Sequence, residues 1–208
     1  MIMIPFVVII VIFVNPIVNI MLSNAFLPAS SILIALIILC FITSMCVPYT
    51  CLITGLNKPG LAAKIGGVIC ITNVILNFAF IPKEGLLTSV GVNGALGAAI
   101  ATVLSNIIGF VGLKLYAKKL SGINLFNRHI IIHIFAGFTM FLFLFICYDF
   151  IDVVRWYYLT FFIILGFLVY LFILVVIKEF NKQDLNFFLN LLHPKEMIKY
   201  MNGEINNK

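Results

Sequence analysis

The sequence predicts an all-α membrane protein: about six transmembrane helices over residues 1–178, followed by an amphipathic cytoplasmic tail over 179–208. Three observations predict it. Only 10% of the residues are charged and 63% are hydrophobic, with a mean hydropathy of +1.22, whereas a soluble domain carries about 25% charged residues. The few charges are clustered, which leaves charge-free stretches at 1–57, 65–82, 85–113, 129–148 and 156–177. Runs such as Ile32-Leu33-Ile34-Ala35-Leu36-Ile37-Ile38-Leu39 are apolar on every side, without the alternation that a membrane barrel needs. This pattern excludes an ordinary soluble enzyme and a disordered tail. Despite a pI of 9.1 and a net charge of +6, it also excludes a nucleic-acid binder, because the basic residues sit between apolar blocks instead of forming one surface.

A transmembrane helix needs about 20 mostly apolar residues, and a charge at its centre costs roughly 2.5–3.5 kcal/mol. The first stretch is long enough for two spans, broken only at Ser23-Asn24-Ala25-Phe26-Leu27-Pro28-Ala29-Ser30-Ser31. The predicted spans are 4–22, 30–54, 62–82, 92–117, 129–149 and 156–178. Of the 13 Lys and Arg, all but Lys83 and Arg155 fall in alternate loops and the tail, which places both termini in the cytoplasm by the positive-inside rule. The setting is therefore the cytoplasmic membrane. The start of the chain has no basic lead-in and no small-residue cleavage site, so no signal peptide is expected. A chain that begins almost inside a span reads as one whose upstream part is missing or encoded elsewhere. In the tail, Leu185, Phe188, Leu189 and Leu192 form one apolar stripe, which suits a helix lying on the cytoplasmic leaflet.

Little here points to catalysis. His129 and His133 are spaced i, i+4 beside Arg128. They could share a metal, but no carboxylate lies near, and interfacial anchoring is the better reading. The five cysteines all fall in spans with no CxxC pair, as packing residues do. Lys83 with Glu84, and Asp149 and Asp152 with Arg155, offset each other's charge in loops. No enzyme activity, cofactor or metal is expected.

The spans contain amides and hydroxyls instead. Asn15 and Asn19 share a face of the first helix and flank Pro16, where a kink is expected. Asn73 and Asn77 share a face of the third, with Ser105 and Asn106 in the fourth and Thr43, Ser44, Pro48, Tyr49 and Thr50 in the second. An amide in hydrocarbon is costly unless bonded, so these faces turn inward or toward water. Two readings stay open: interhelical glue at about 0.6–2 kcal/mol per contact, or a polar path for a solute rich in hydroxyls. Small residues Gly94, Gly97, Ala98 and Ala101, continued by Gly109 and Gly112, mark a close-packing face of the fourth helix.

The block Asn73-Val-Ile-Leu76-Asn77-Phe-Ala-Phe-Ile81-Pro82-Lys-Glu-Gly85, followed by Gly94-Ala-Leu-Gly97-Ala98-Ala99-Ile-Ala101-Thr102, resembles the C-terminal half of polysaccharide biosynthesis membrane proteins. These are the O-antigen-type flippases of the multidrug/oligosaccharidyl-lipid/polysaccharide (MOP) superfamily. Gly55-Leu-Asn-Lys58-Pro, Phe26-Leu-Pro28-Ala29, Gly166-Phe-Leu-Val-Tyr170 and Lys182-Gln-Asp184-Leu are similar to other segments of that half. The pattern is strongest over 55–117. It departs from the family at Ser23-Asn24, where a glycine is common, and at residues 86–93, which lengthen the third loop.

The resemblance implies one lobe region of a two-lobed carrier that moves a lipid-linked oligosaccharide between leaflets by alternating access. Its implied partners are membrane lipid, the lipid-linked glycan, and a missing N-terminal lobe or companion chain. Asn15, Asn19, Asn73, Asn77 and Asn106 are the candidate substrate-path residues. The cationic cavity that such carriers use for pyrophosphate would come from the other lobe, since Lys64, Lys114 and Arg128 lie near span ends. The alternative function is a non-transporting membrane scaffold of a glycan-assembly complex.

Overall fold

The computed structural model describes residues 3–82, 94–122, 128–150 and 156–177. In these residues six α-helices follow one another: α1 (Met3–Leu22), α2 (Ser30–Gly55), α3 (Pro59–Phe80), α4 (Gly94–Ser121), α5 (Arg128–Phe150) and α6 (Trp156–Val176). Each contains a stretch long and apolar enough to cross a membrane. The architecture is that of an all-helical, multi-pass membrane protein. The tail expected over 179–208 lies outside the described residues, as do Lys83, Glu84, Asp152 and Arg155 and the side chains of Arg128, His129 and Asp149.

The helix ends follow local chemistry. The polar break after α1 forms a 3-10 turn, Asn24–Ala29, entered through Ser23 at φ 88°. Helix α3 starts at Pro59, three residues before the apolar pattern does, because proline at the first helical position gives up an N–H that would be unbonded anyway. It ends at Phe80: Ile81 still has helical angles (φ −79°, ψ −40°) and donates its N–H to the Asn77 carbonyl, but Pro82 after it has no N–H to continue the ladder. Helix α4 runs on to Ser121 through Lys114, Lys118 and Lys119. Those lysines end the apolar span without ending the helix. At about 1.5 Å per residue, α4 outruns a hydrocarbon core about 30 Å thick, so its basic turns reach the interface.

Helix α1 is kinked. Phe13 has non-helical angles (φ −99°, ψ 19°) three residues before Pro16. Proline there lacks the N–H that would bond the carbonyl of Ile12, and its ring crowds that turn.

The six helices sort into two groups of three. Helices α1, α5 and α6 enclose one core of Phe13, Met140, Leu144, Phe162, Tyr170 and Leu174. Helices α2, α3 and α4 enclose another of Tyr49, Ile53, Ile65, Leu113 and Ala117. Packing of α1 on α2 joins the groups.

The two cores are built differently. In the first, Phe13 is fully buried, with its ring 5.3 Å from Phe162 and 5.6 Å from Tyr148. In the second, α4 presents Gly97, Ala101, Ser105, Gly109, Leu113 and Ala117, buried at every fourth position. A methyl group at Gly97 would run into the Phe80 carbonyl, and one at Gly109 into the Ile69 side chain. Together with the Gly112–Ile65 approach, these contacts set α3 and α4 antiparallel. They gather Lys58, Lys64, Lys114, Lys118 and Lys119 at one end of this group.

Candidate functional site

The polar side chains that α3 and α4 hold between them form a connected cluster. Asn73 donates through Nδ2 to Thr102 Oγ1 at 3.1 Å and to Ser105 Oγ at 3.4 Å, and Asn77 Nδ2 donates to Asn73 Oδ1 at 2.9 Å. On α4, Thr102 Oγ1 donates to the Ala98 carbonyl at 2.8 Å, while Ser105 Oγ and Asn106 Nδ2 each donate to the Thr102 carbonyl at 2.9 Å. Ser105 is fully buried. Asn73 lies in the C-terminal half of α3, with Asn77 one turn nearer its end, and Thr102 and Ser105 lie in the N-terminal half of α4, so the cluster sits within the helices toward the end opposite the lysines.

Each group is there for a local reason. The i, i+4 spacing stacks Asn77 on Asn73 along α3. The small residues of α4 let its backbone come close enough for a short amide to reach a hydroxyl. The hydroxyls bond back to carbonyls of their own helix and still accept from Asn73. One atom is left over: Asn77 Oδ1 is buried and has no hydrogen-bond donor among the described residues.

The other candidate residues stand elsewhere. Asn15 is exposed and Asn19 half-buried on α1, which packs on α2, α5 and α6, whereas α3 packs on α4 and α2. The asparagine pairs of α1 and α3 therefore belong to different helix groups. The α2 hydroxyls are used within their own helix: Thr43, Ser44, Thr50 and Thr54 all donate to carbonyls three or four residues back. On α4, Gly97 and Ala101 are buried and Ala98 is half-buried. Gly94 has a different task. It is exposed, with nothing within 4 Å of where its Cβ would be, and its φ of +53° lets the chain turn into the helix as its N–H reaches the Ile81 carbonyl at 3.1 Å.

His133 meets Tyr170 of α6, with Nδ1 2.6 Å from the phenolic oxygen and the ring centroids 6.1 Å apart. No residue pattern flagged this pair, because its members are 37 positions apart. The usable signal was positional: both sit a similar distance from what prove to be adjacent helix ends. Among the described residues, no three His, Cys, Asp or Glu side chains group as a metal would require. An apolar groove of about 410 Å³ runs between α1, α2 and α5, lined by Ile4, Val8, Phe41, Gly137 and Phe138 among others. It offers hydrocarbon contact and no polar chemistry.

No family model, no curated protein and no solved structure matches the chain. The fold by itself defines a class, the all-helical multi-pass membrane protein, and its polar centre is the α3–α4 amide and hydroxyl cluster.

Proposed function

We propose that the chain is the C-terminal lobe region of a lipid-linked oligosaccharide flippase in the cytoplasmic membrane, both termini cytoplasmic, working with a second lobe or companion chain. It acts without covalent catalysis, cofactor or metal. The observation that carries the reading is the α3–α4 cluster with its spare acceptor, Asn77 Oδ1. A neutral amide offers a donor and an acceptor without fixed charge, which suits hydroxyl groups or the water around them. Two further features support it. Helix α3 is held on one side only, with Ile71, Val74, Ile75 and Phe78 exposed, Phe78 by 80%, which leaves a face for a second lobe. The gathered lysines fit a cytoplasmic end. In this reading Asn73, Asn77 and Asn106 form the path on this side, and Asn15 and Asn19 contact water or glycan from the α1 side.

One observation favours the scaffold alternative: Asn73 spends its amide N–H groups on Thr102 and Ser105, as glue does. Reconstitution separates the two. The protein, isolated from its own membrane with whatever accompanies it, is placed in vesicles holding a fluorescent polyprenyl-pyrophosphate sugar, and transfer between leaflets is followed by a quencher. The flippase reading expects transfer that Asn77→Leu slows by up to about tenfold, the weight of one hydrogen bond. Absence of transfer, with glycosyltransferases recovered alongside the protein, would support the scaffold.

A further inference from the structure

His133 and Tyr170 tie α5 to α6 near one end of their spans, where the interfacial position expected of His133 meets a buried phenol. His133 lies five residues in from the start of α5, about 8 Å along the axis, and Tyr170 six residues before the end of α6, about 9 Å. The phenol is buried, at 3% exposure. Histidine is the one side chain whose ordinary titration range falls between about pH 5 and 8, and an ionisable group within a span marks a functional site by default. Helix α1, which packs on both partners, carries no titratable side chain from Met3 to Leu22. On α6, Tyr157 and Tyr158 stand at the opposite end. On α5, Arg128 and His129 precede His133 by about one turn, and Cys147, Tyr148 and Asp149 lie at the far end. Lys178 and Glu179 follow α6 in sequence.

We propose that His133 is a proton-binding site within the membrane, and that its protonation reverses the bond to Tyr170 and so changes how α6 is held on α5. In the neutral ring, Nε2 carries the hydrogen and Nδ1 accepts the phenolic O–H. One proton taken from water fills Nδ1. That nitrogen then donates to the phenolic oxygen, and the phenolic hydrogen must turn to another acceptor. The phenol stays neutral, the imidazole gains one positive charge, and the new N–H is the single covalent bond formed on the protein. A new cation in the span is costly, so the α5–α6 seam gains a reason to shift toward water. One turn before Tyr170 on α6, Gly166 receives the Met140 and Leu144 side chains of α5, where a Cβ would lie 2.8 Å from Met140 Cε and 2.9 Å from Leu144 Cδ1, so the α5–α6 spacing at the bond is set against a closely packed reference point. The proton site stands independently of the flippase reading.

The test uses the full chain in lipid nanodiscs with nitrogen-15 histidine, compared with His133→Gln and Tyr170→Phe. Spin labels at Ile131 and Phe172, both exposed, report the α5–α6 spacing in a background with the native cysteines replaced by alanine. The expected result is a resonance absent from His133→Gln that titrates between about pH 5 and 8, with the spacing shifting by about 1–2 Å at the same midpoint. The shift disappears in His133→Gln, which keeps a polar side chain beside Tyr170, and in Tyr170→Phe, which still titrates. A His133 resonance that does not move over that range overturns the proton site. A spacing that ignores pH in the native chain, or responds equally in either variant, overturns the switch.

Discussion

The two helix groups solve one problem in opposite ways. Lipid tails are as apolar as leucine, so hydrophobicity does not hold transmembrane helices together, and shape or hydrogen bonding must. The α1–α5–α6 group uses bulk: Phe13 reaches from the kink of α1 to the rings of Tyr148 and Phe162. The α2–α3–α4 group uses absence of bulk: glycine, alanine and serine on α4 bring backbones together until amides and hydroxyls can bond. A void left in the first can be filled by neighbouring side chains or lipid. An extra atom at Gly97 in the second meets the Phe80 backbone, which has nowhere to move.

The comparison therefore predicts that enlarging small residues harms more than trimming large ones. Gly97→Leu heads the order, because its side chain meets the Phe80 carbonyl; a loss of about 3 kcal/mol is expected, the upper end for overpacking, read as reversible unfolding in bicelles. Phe13→Ala follows at about 2 kcal/mol, below the roughly 3–5 kcal/mol of a soluble core because no transfer from water is lost in lipid. A Phe13→Ala loss larger than that of Gly97→Leu would reverse the comparison. Asn73→Leu removes two interhelical hydrogen bonds and is expected to cost about 1 kcal/mol, near the value for such contacts in membranes. Asn15→Leu, on an exposed position with no side-chain bond among the described residues, is expected to leave stability within about 0.5 kcal/mol. A larger effect would mean that α1 uses that amide against something beyond its own bundle.

Much of this was legible in the residues, though not evenly. The spacing of charges located the spans, because a lysine is tolerated at an interface and not at mid-depth. The i, i+4 asparagines of α3 announced a polar face. What could not be read was which helix meets which. Helices that are apolar all round carry no stripe to choose a neighbour, so nothing in Asn15 or Asn73 told that they belong to different groups. The same blindness hid the His133–Tyr170 bond. Gly94 shows another limit: the same residue type serves close packing at position 97 and a left-handed turn at position 94, and only the backbone distinguishes them.

The position of α1 has a consequence for how the molecule is made. Helices α2, α3 and α4 leave the ribosome in succession and can assemble as they arrive. Helix α1 precedes them, yet the aromatic core that receives Phe13 is supplied by α5 and α6, which follow roughly a hundred residues later. At about 5–20 residues per second α1 waits on the order of 5–20 seconds with its kink and its asparagines facing lipid or the insertion machinery. The part of the bundle synthesised early is thus closed late, and a slowed ribosome over 23–127 would lengthen the interval before Phe13 meets its core.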